Sequence, residues 1–191
     1  MVNMMWKYFY ILVVLLVLFS FRVQAQPMVA SSAGTTDASA TGFSLTSSVF
    51  KPGETIPDNY TCRGADTNPP LTIRNTPPGT KSMALIVYDP DGITGVWVHW
   101  VVFNIPPALV DIRERVPPGT QALNDFGNFY YGGPCPPDQK VHHYAFTLYA
   151  LNAFLDSVNE GATKDTLEKA MAGKVIAKAE LTGIYQNINW N

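Results

Sequence analysis

The chain has 191 residues, 47% of them hydrophobic, with 13 basic and 15 acidic side chains and a net charge of −2. That is enough for one ordinary domain with a sizeable core, and the acidic balance argues against nucleic-acid binding, which needs a basic face. It argues equally against general attraction to anionic membranes, so any anion site has to be local.

Met1 to Ala25 reads as an export leader. Lys7 supplies a positive n-region, Tyr8 to Phe21 is nearly unbroken apolar sequence, and Val23-Gln24-Ala25 is a small-x-small cleavage signal. Cleavage is expected after Ala25, delivering the chain to the periplasm or the exterior. The competing reading is an uncleaved anchor, but the apolar run falls short of the roughly 20 residues a spanning helix needs. No Cys stands after it to carry a lipid, so no stable membrane anchor is expected after cleavage. The leader holds Lys7 and Arg22 and no acid, which leaves 11 basic and 15 acidic residues, a net of −4. In an exported chain the two cysteines, Cys62 and Cys135, suggest one disulfide.

Gln26 to Gly42 is rich in Ala, Ser, Thr and Gly and reads as a flexible tether. Residues 43–191 form the domain. Phe43 to Ser47 alternates like a strand. Turns at Pro52-Gly53 and Pro57-Asp58-Asn59 follow, then a short strand at Pro69 to Ile73 and a break at Pro77-Pro78-Gly79. Ser82 to Tyr88 and Trp97 to Ile105 are predicted strands, joined by the acidic turn Asp89-Pro90-Asp91-Gly92. Residues 108–129 read as loop. Gly132 to Pro137 is a stiff turn before a strand from His142 to Leu151. Thr163 to Ala172 reads as a helix with a capping box at Asp165 and Glu168, a stripe of Leu167, Ala170 and Met171, and Gly173 as its stop. Val175 to Leu181 alternates as a last strand. Many short strands with Pro and Gly turns predict a mostly β chain: an antiparallel β-sandwich with one or two short peripheral helices.

Side chains alternate across a strand. His142, Tyr144, Phe146 and Leu148 therefore share a face. By the same rule His99 goes with Val101 and Phe103, and Asp89 with Val87 and Leu85. If these strands are neighbours, Asp89, His99, His142 and Tyr144 meet over an apolar floor. Such a pocket offers imidazole and phenol donors to an anion, with Asp89 able to orient or charge a histidine.

Asp89-Pro90-Asp91, Trp97-Val98-His99-Trp100, Asn104-Ile105-Pro106 and Gly132-Gly133-Pro134-Cys135-Pro136-Pro137, followed by His142-His143-Tyr144, resemble the phosphatidylethanolamine-binding protein (PEBP) family. The match is to its bacterial, Raf-kinase-inhibitor-like branch, and covers about residues 43 to 186. Thr61-Cys62-Arg63-Gly64, Asn68 to Leu71 and Ala179 to Tyr185 fit the same branch. The resemblance implies a PEBP-like sandwich whose pocket accepts a small anion or a phosphate-bearing head group. It implies Asp89, His99, His142 and Tyr144 as pocket residues, Gly133 and Pro134 as a wall, and Trp97 at the rim. Some members are described as inhibiting kinases or proteases, so a protein target is conceivable, although an exported chain would not meet a cytosolic kinase. The chain departs from the family where Gly92-Ile93 replaces the usual Ala-Pro, which predicts a less rigid loop. It departs again where His143 replaces the usual Arg, putting a titrating group in place of a fixed charge, with Asp91 as its candidate partner. At Lys140 many relatives have a small loop residue.

Blander readings apply to several residues. His99 and His142 could be structural histidines bonded to a turn carboxylate. His143, on the opposite face, reads as structural, Trp97 and Trp100 as core or rim, and Tyr130 and Tyr131 as packing. An enzyme reading writes Cys135, His142 and Asp89 as nucleophile, base and orienter of a hydrolase, or two His and one Asp as the ligands of a metal-dependent enzyme. Cys135 lies between two prolines with no helix N-terminus to activate it, and no metal-ligand spacing is present. No catalytic residue, metal or cofactor is therefore assigned.

Overall fold

The strand Ser82–Asp89 carries almost no polar residue because both of its faces are covered. The computed structural model describes residues 42–188; the leader and all but the last residue of the tether lie outside them. The strands are β1 (Ser44–Ser47), β2 (Leu71–Arg74), β3 (Ser82–Asp89), β4 (Trp97–Ile105), β5 (Asp111–Ile112), β6 (Thr120–Ala122), β7 (Val141–Leu151) and β8 (Val175–Gln186). One sheet has the order β6-β4-β3-β7-β8 and a smaller one β1-β2-β5, with antiparallel pairing throughout. The expected antiparallel sandwich is what the chain forms.

Met83, Leu85 and Val87 of β3 point into the layer between the sheets, against Leu45, Leu71, Ile73 and Ile112. Ala84 and Ile86 point the other way, into a second cluster with Leu155, Leu167 and Met171. The latter two come from helix α1 (Lys164–Met171), which covers the outer face of the large sheet. A strand buried on both sides shows no polar alternation, which is why it reads as a continuous apolar run. β8, at the sheet edge, does alternate: Ala177, Ala179, Leu181 and Tyr185 are buried between more exposed neighbours.

Two expectations need correction here. The cap of α1 is Thr163, whose side chain accepts from the Thr166 N–H, and not a box at Asp165 and Glu168. Residues 108–129 are not all loop, since they contain β5 and β6. Strands of two and three residues carry too little pattern to be read; their neighbours create them.

The decisive detail is a slip in register between β3 and β4. Val87 pairs with Trp100, yet Tyr88 pairs with Val98, so His99 is the extra residue of a β-bulge. Strict alternation would have put His99 with Val101 and Phe103, which face the helix-side cluster. The bulge instead turns its ring to the inner face, where it packs edge-on against Tyr144 with centroids 5.2 Å apart.

Candidate functional site

Antiparallel pairing of Tyr88 with Ala145 brings the end of β3 beside the start of β7. Asp89 Oδ2 there accepts a hydrogen bond from His142 Nδ1 at 2.7 Å. Its other oxygen accepts from the Asp91 N–H at 2.7 Å, which folds the following loop. The second ring nitrogen, His142 Nε2, donates to Asp138 Oδ1 at 3.0 Å. Lys140 Nζ stands 3.3 Å from Asp138 Oδ2. Carboxylate oxygens accept and do not donate, so the two contacts together favour a ring protonated at both nitrogens, the imidazolium. Its burial opposes that charge, but the hydrogen bonds and charges of Asp89 and then Asp138 outweigh it and raise the pKa.

His99 has the opposite character. Its Nδ1 lies 2.6 Å from the Gly132 carbonyl, which can only accept, so Nδ1 carries the proton and Nε2 is left for a ligand. Burial lowers its pKa; the Gly132 bond and the charge of Asp89 offset this only in part. Tyr144, 1% exposed, also lies on this inner face. Its hydroxyl is buried and makes no hydrogen bond of good geometry among the described residues, although the Asp89 carboxylate is near enough to act on it. Burial first, and then the charge of Asp89, push this phenol's pKa up, so it is a neutral O–H donor.

These groups line a pocket of about 360 Å³. Asp89, Thr94, His99, His142 and Tyr144 are its polar members, and Ile93, Trp97, Phe126, Cys135, Pro136 and Pro137 are its apolar ones. Trp97 stacks edge-on against Phe126 at 5.5 Å. Five of the seven residues expected at the site thus line one cavity. Gly133 and Pro134 do not. Gly133 is tied by its N–H to Asp66 Oδ1 at 2.6 Å, and a Cβ there would stand 2.5 Å from the Tyr60 carbonyl oxygen. The Pro134 carbonyl accepts from the Cys62 N–H at 3.2 Å. They strap the wall from behind, and Cys135 to Pro137 form its inner surface.

Cys62 and Cys135 are joined as a disulfide, with Cα atoms 5.5 Å apart. A cysteine in a disulfide has no thiol to ionise, which removes the nucleophile of the hydrolase reading. Among the described residues no group of three His, Cys, Asp or Glu side chains is placed to hold a metal ion.

In the 89–97 loop Gly92 O accepts from the Gly95 N–H at 2.9 Å, and a Cβ on Gly92 would collide with the Gly95 carbonyl oxygen. The Gly-Ile sequence is accommodated in a closed turn. His143 faces away from the pocket and pairs through Nδ1 with Asp91 Oδ2 at 2.7 Å, both partly exposed. Tyr131 is buried as expected, but Tyr130 is 64% exposed and is not a packing residue.

Sequence reasoning missed Asp138 and Phe126. Asp138 lies four residues before His142 and directly after Pro136-Pro137, so the spacing was visible, but not the way the loop folds back. Phe126 is presented by a loop organised around buried Asn124. The Asn124 Nδ2 group donates to the carbonyls of His99 at 3.1 Å and Tyr130 at 2.7 Å. Its Oδ1 accepts from the N–H groups of Phe126 and Asn128. The Asn-Asp pair at 124–125 was the available signal for such a turn.

A family profile described as phosphatidylethanolamine-binding protein matches residues 46–186. The chain belongs to the phosphatidylethanolamine-binding protein family. A UPF0098 protein of Pyrococcus horikoshii is 45% identical over 150 residues, covering 73% of this chain and 75% of that one. YbcL, a UPF0098 protein of Escherichia coli, is 38% identical over 168 residues, covering 80% of this chain and 92% of that one. The crystal structure of a PEBP homologue from Chlamydia trachomatis superposes with a TM-score of 0.73 at 42% identity, covering 76% of this chain and 97% of that one. The structure of YbcL, described as a member of the mammalian PEBP family, gives a TM-score of 0.71 at 35% identity, covering 76% and 98%. None of these relatives bears the name of an enzyme. The family assignment supports a binding-protein role.

Proposed function

We propose that this PEBP-family protein is an exported binding protein whose pocket takes a small anion or the phosphate-bearing head group of a lipid. One observation carries the reading: a buried Tyr144 hydroxyl without a protein hydrogen bond of good geometry, on the wall of a cavity that also contains His99 with its Nε2 uncommitted. A buried donor left unpaired is costly, and a ligand oxygen relieves that cost. His99 is neutral near pH 7 and offers a lone pair, so it accepts a proton when an anion enters. Binding is then coupled to proton uptake and tightens as pH falls. Ile93, Trp97, Phe126 and the prolines give the ligand's remaining part an apolar setting. Export is supported by the order of charge, apolar stretch and small residues in Met1 to Ala25.

Calorimetric titration of phosphoethanolamine into the mature protein at pH 8 and pH 6 tests the pocket. Tighter binding at pH 6, weakened and flattened in His99→Ala, is the expected result. Equal affinity at both pH values removes the proton-coupled mechanism, and unchanged affinity in His99→Ala removes the site. N-terminal sequencing of protein from the cell envelope tests the leader. A start at Gln26 is expected, and a start at Met1 rejects it.

A further inference from the structure

The imidazolium of His142 is the strongest donor in the pocket, and its outward N–H is already taken. Nδ1 faces Asp89 at 2.7 Å, deep in the sheet, and Nε2 faces Asp138 at 3.0 Å. The two carboxylates differ in setting. Asp89 terminates β3 and is buried, whereas Asp138 lies on the loop before β7 with its side chain 20% exposed. The Asp138 backbone neighbourhood is also unusual: Gln139 adopts φ +58°, a conformation few side chains favour. The Lys140 N–H closes a tight turn onto Asp138 Oδ1 at 3.1 Å, and Lys140 Nζ pairs with Oδ2.

The charged and titratable groups nearest His142 are these, with Asp91, paired to His143, acting at longer range. On β3 there is Asp89, on β4 neutral His99, on β7 neutral Tyr144, and on the loop Asp138 with Lys140 outside it. The row Asp89, His142, Asp138 sums to one negative charge, with Lys140, 79% exposed, screening it from the solvent side. An anion entering beside His142 finds its Nε2 already bonded to Asp138, which lies next to the pocket lining at Pro137 and not on it.

We propose that Asp138 is a built-in competitor for the anion position: its carboxylate fills the place of a ligand oxygen on His142 Nε2 and must swing out before a phosphate group can bind. The anchored carboxylate, Asp89, keeps His142 charged and oriented throughout, and the exposed one is exchanged. A ligand with two or more anionic oxygens can replace Asp138 on His142 while also accepting from Tyr144 and pairing with His99. A ligand with a single weak acceptor cannot. Asp138 thereby sets the selectivity of the pocket, and displacing it moves the 138–140 loop. This inference rests on the anion-binding reading of the same pocket.

The test titrates inorganic phosphate into the wild type, Asp138→Asn and Asp138→Ala at pH 7, with the imidazole of His142 followed by NMR. Asp138→Ala is expected to bind at least about tenfold tighter than wild type, the scale of one charge-assisted hydrogen bond freed for the ligand. Asp138→Asn keeps the shape without the charge and should fall between them. In the wild type, phosphate should leave His142 charged while shifting the backbone resonances of residues 138–140. Equal or weaker binding by both variants, with the wild type binding normally, overturns the competitor role and leaves the pocket intact. Failure of all three proteins to bind overturns both the competitor role and the anion-binding reading.

Discussion

Tyr144→Phe separates a ligand-binding hydroxyl from a structural one. The Tyr144 side chain lies in the inter-sheet core with Phe146 and Val87, and only its hydroxyl lacks a hydrogen bond of good geometry. Phe keeps every apolar contact and removes the unpaired group. A buried, unsatisfied hydroxyl costs about 1–3 kcal/mol, so the variant should be as stable as wild type or up to ~2 kcal/mol more stable. For a domain of this size ~1 kcal/mol corresponds to roughly 2–4 °C in melting temperature, so a rise of a few degrees is measurable by thermal unfolding. Ligand affinity should move the other way. Loss of one hydrogen bond to an anionic oxygen weakens binding by about 1.5–3 kcal/mol, tenfold or more. Both quantities come from one protein preparation, by differential scanning calorimetry and isothermal titration. Destabilisation by more than ~1 kcal/mol together with unchanged affinity would mean that the hydroxyl serves the fold, and the reasoning would fail.

Other perturbations test the frame around the pocket. Replacing Cys62 and Cys135 by Ala opens a link between residues 73 apart in sequence, and chain-entropy arguments put the loss near ~4 kcal/mol. Denaturant unfolding that shows less than ~1 kcal/mol would contradict it. For His142, burial opposes the charged form but Asp89 and Asp138 raise the folded-state pKa above the ordinary 6.5. Its stabilising contribution should therefore be complete below about pH 6.5 and fall as pH rises through the folded-state value. His142→Gln should flatten that slope between pH 6 and 9, and an unchanged slope would refute the assignment. Gly92→Ala forces a Cβ against the Gly95 carbonyl and should cost about 1–3 kcal/mol, with the Trp97 fluorescence changed; a neutral substitution would show that the turn is not held this tightly.

Much of this was legible in the sequence, for identifiable reasons. β3, β4 and β7 run over many apolar residues, and the period of two placed His142 and Tyr144 on one face, where they are. The convergence of His99 with them was expected by a route that does not hold. It depends on a bulge that adds one residue opposite the junction of Val87 and Tyr88, and a bulge is a property of two paired strands, which one strand's pattern cannot show. The Asp138 contact was missed for a related reason: the spacing to His142 is plain in the sequence, but the bond is made by a loop folding back after two prolines. The short strands Asp111–Ile112 and Thr120–Ala122 exist because β2 and β4 offer them edges. Gly133 and Pro134 were expected as a wall of the pocket from the family motif; they lie behind it, and the next three residues line the cavity. Family membership covers residues 46–186 and accounts for the fold; the departures at Gly92, Lys140 and His143 are accommodated locally, by the Gly92–Gly95 turn, the Asp138–Lys140 pair and the Asp91–His143 pair.

The central claim is that a phosphate-like group binds against Tyr144 and His99 and takes up a proton as it does so. Isothermal titration of sulfate, a phosphate-like anion with no titrating proton near pH 7, in two buffers of different ionisation enthalpy measures that proton directly. The account predicts net uptake of up to one proton per sulfate bound by wild type, and none in His99→Ala. Binding without proton uptake in the wild type, or uptake that persists in His99→Ala, would contradict it.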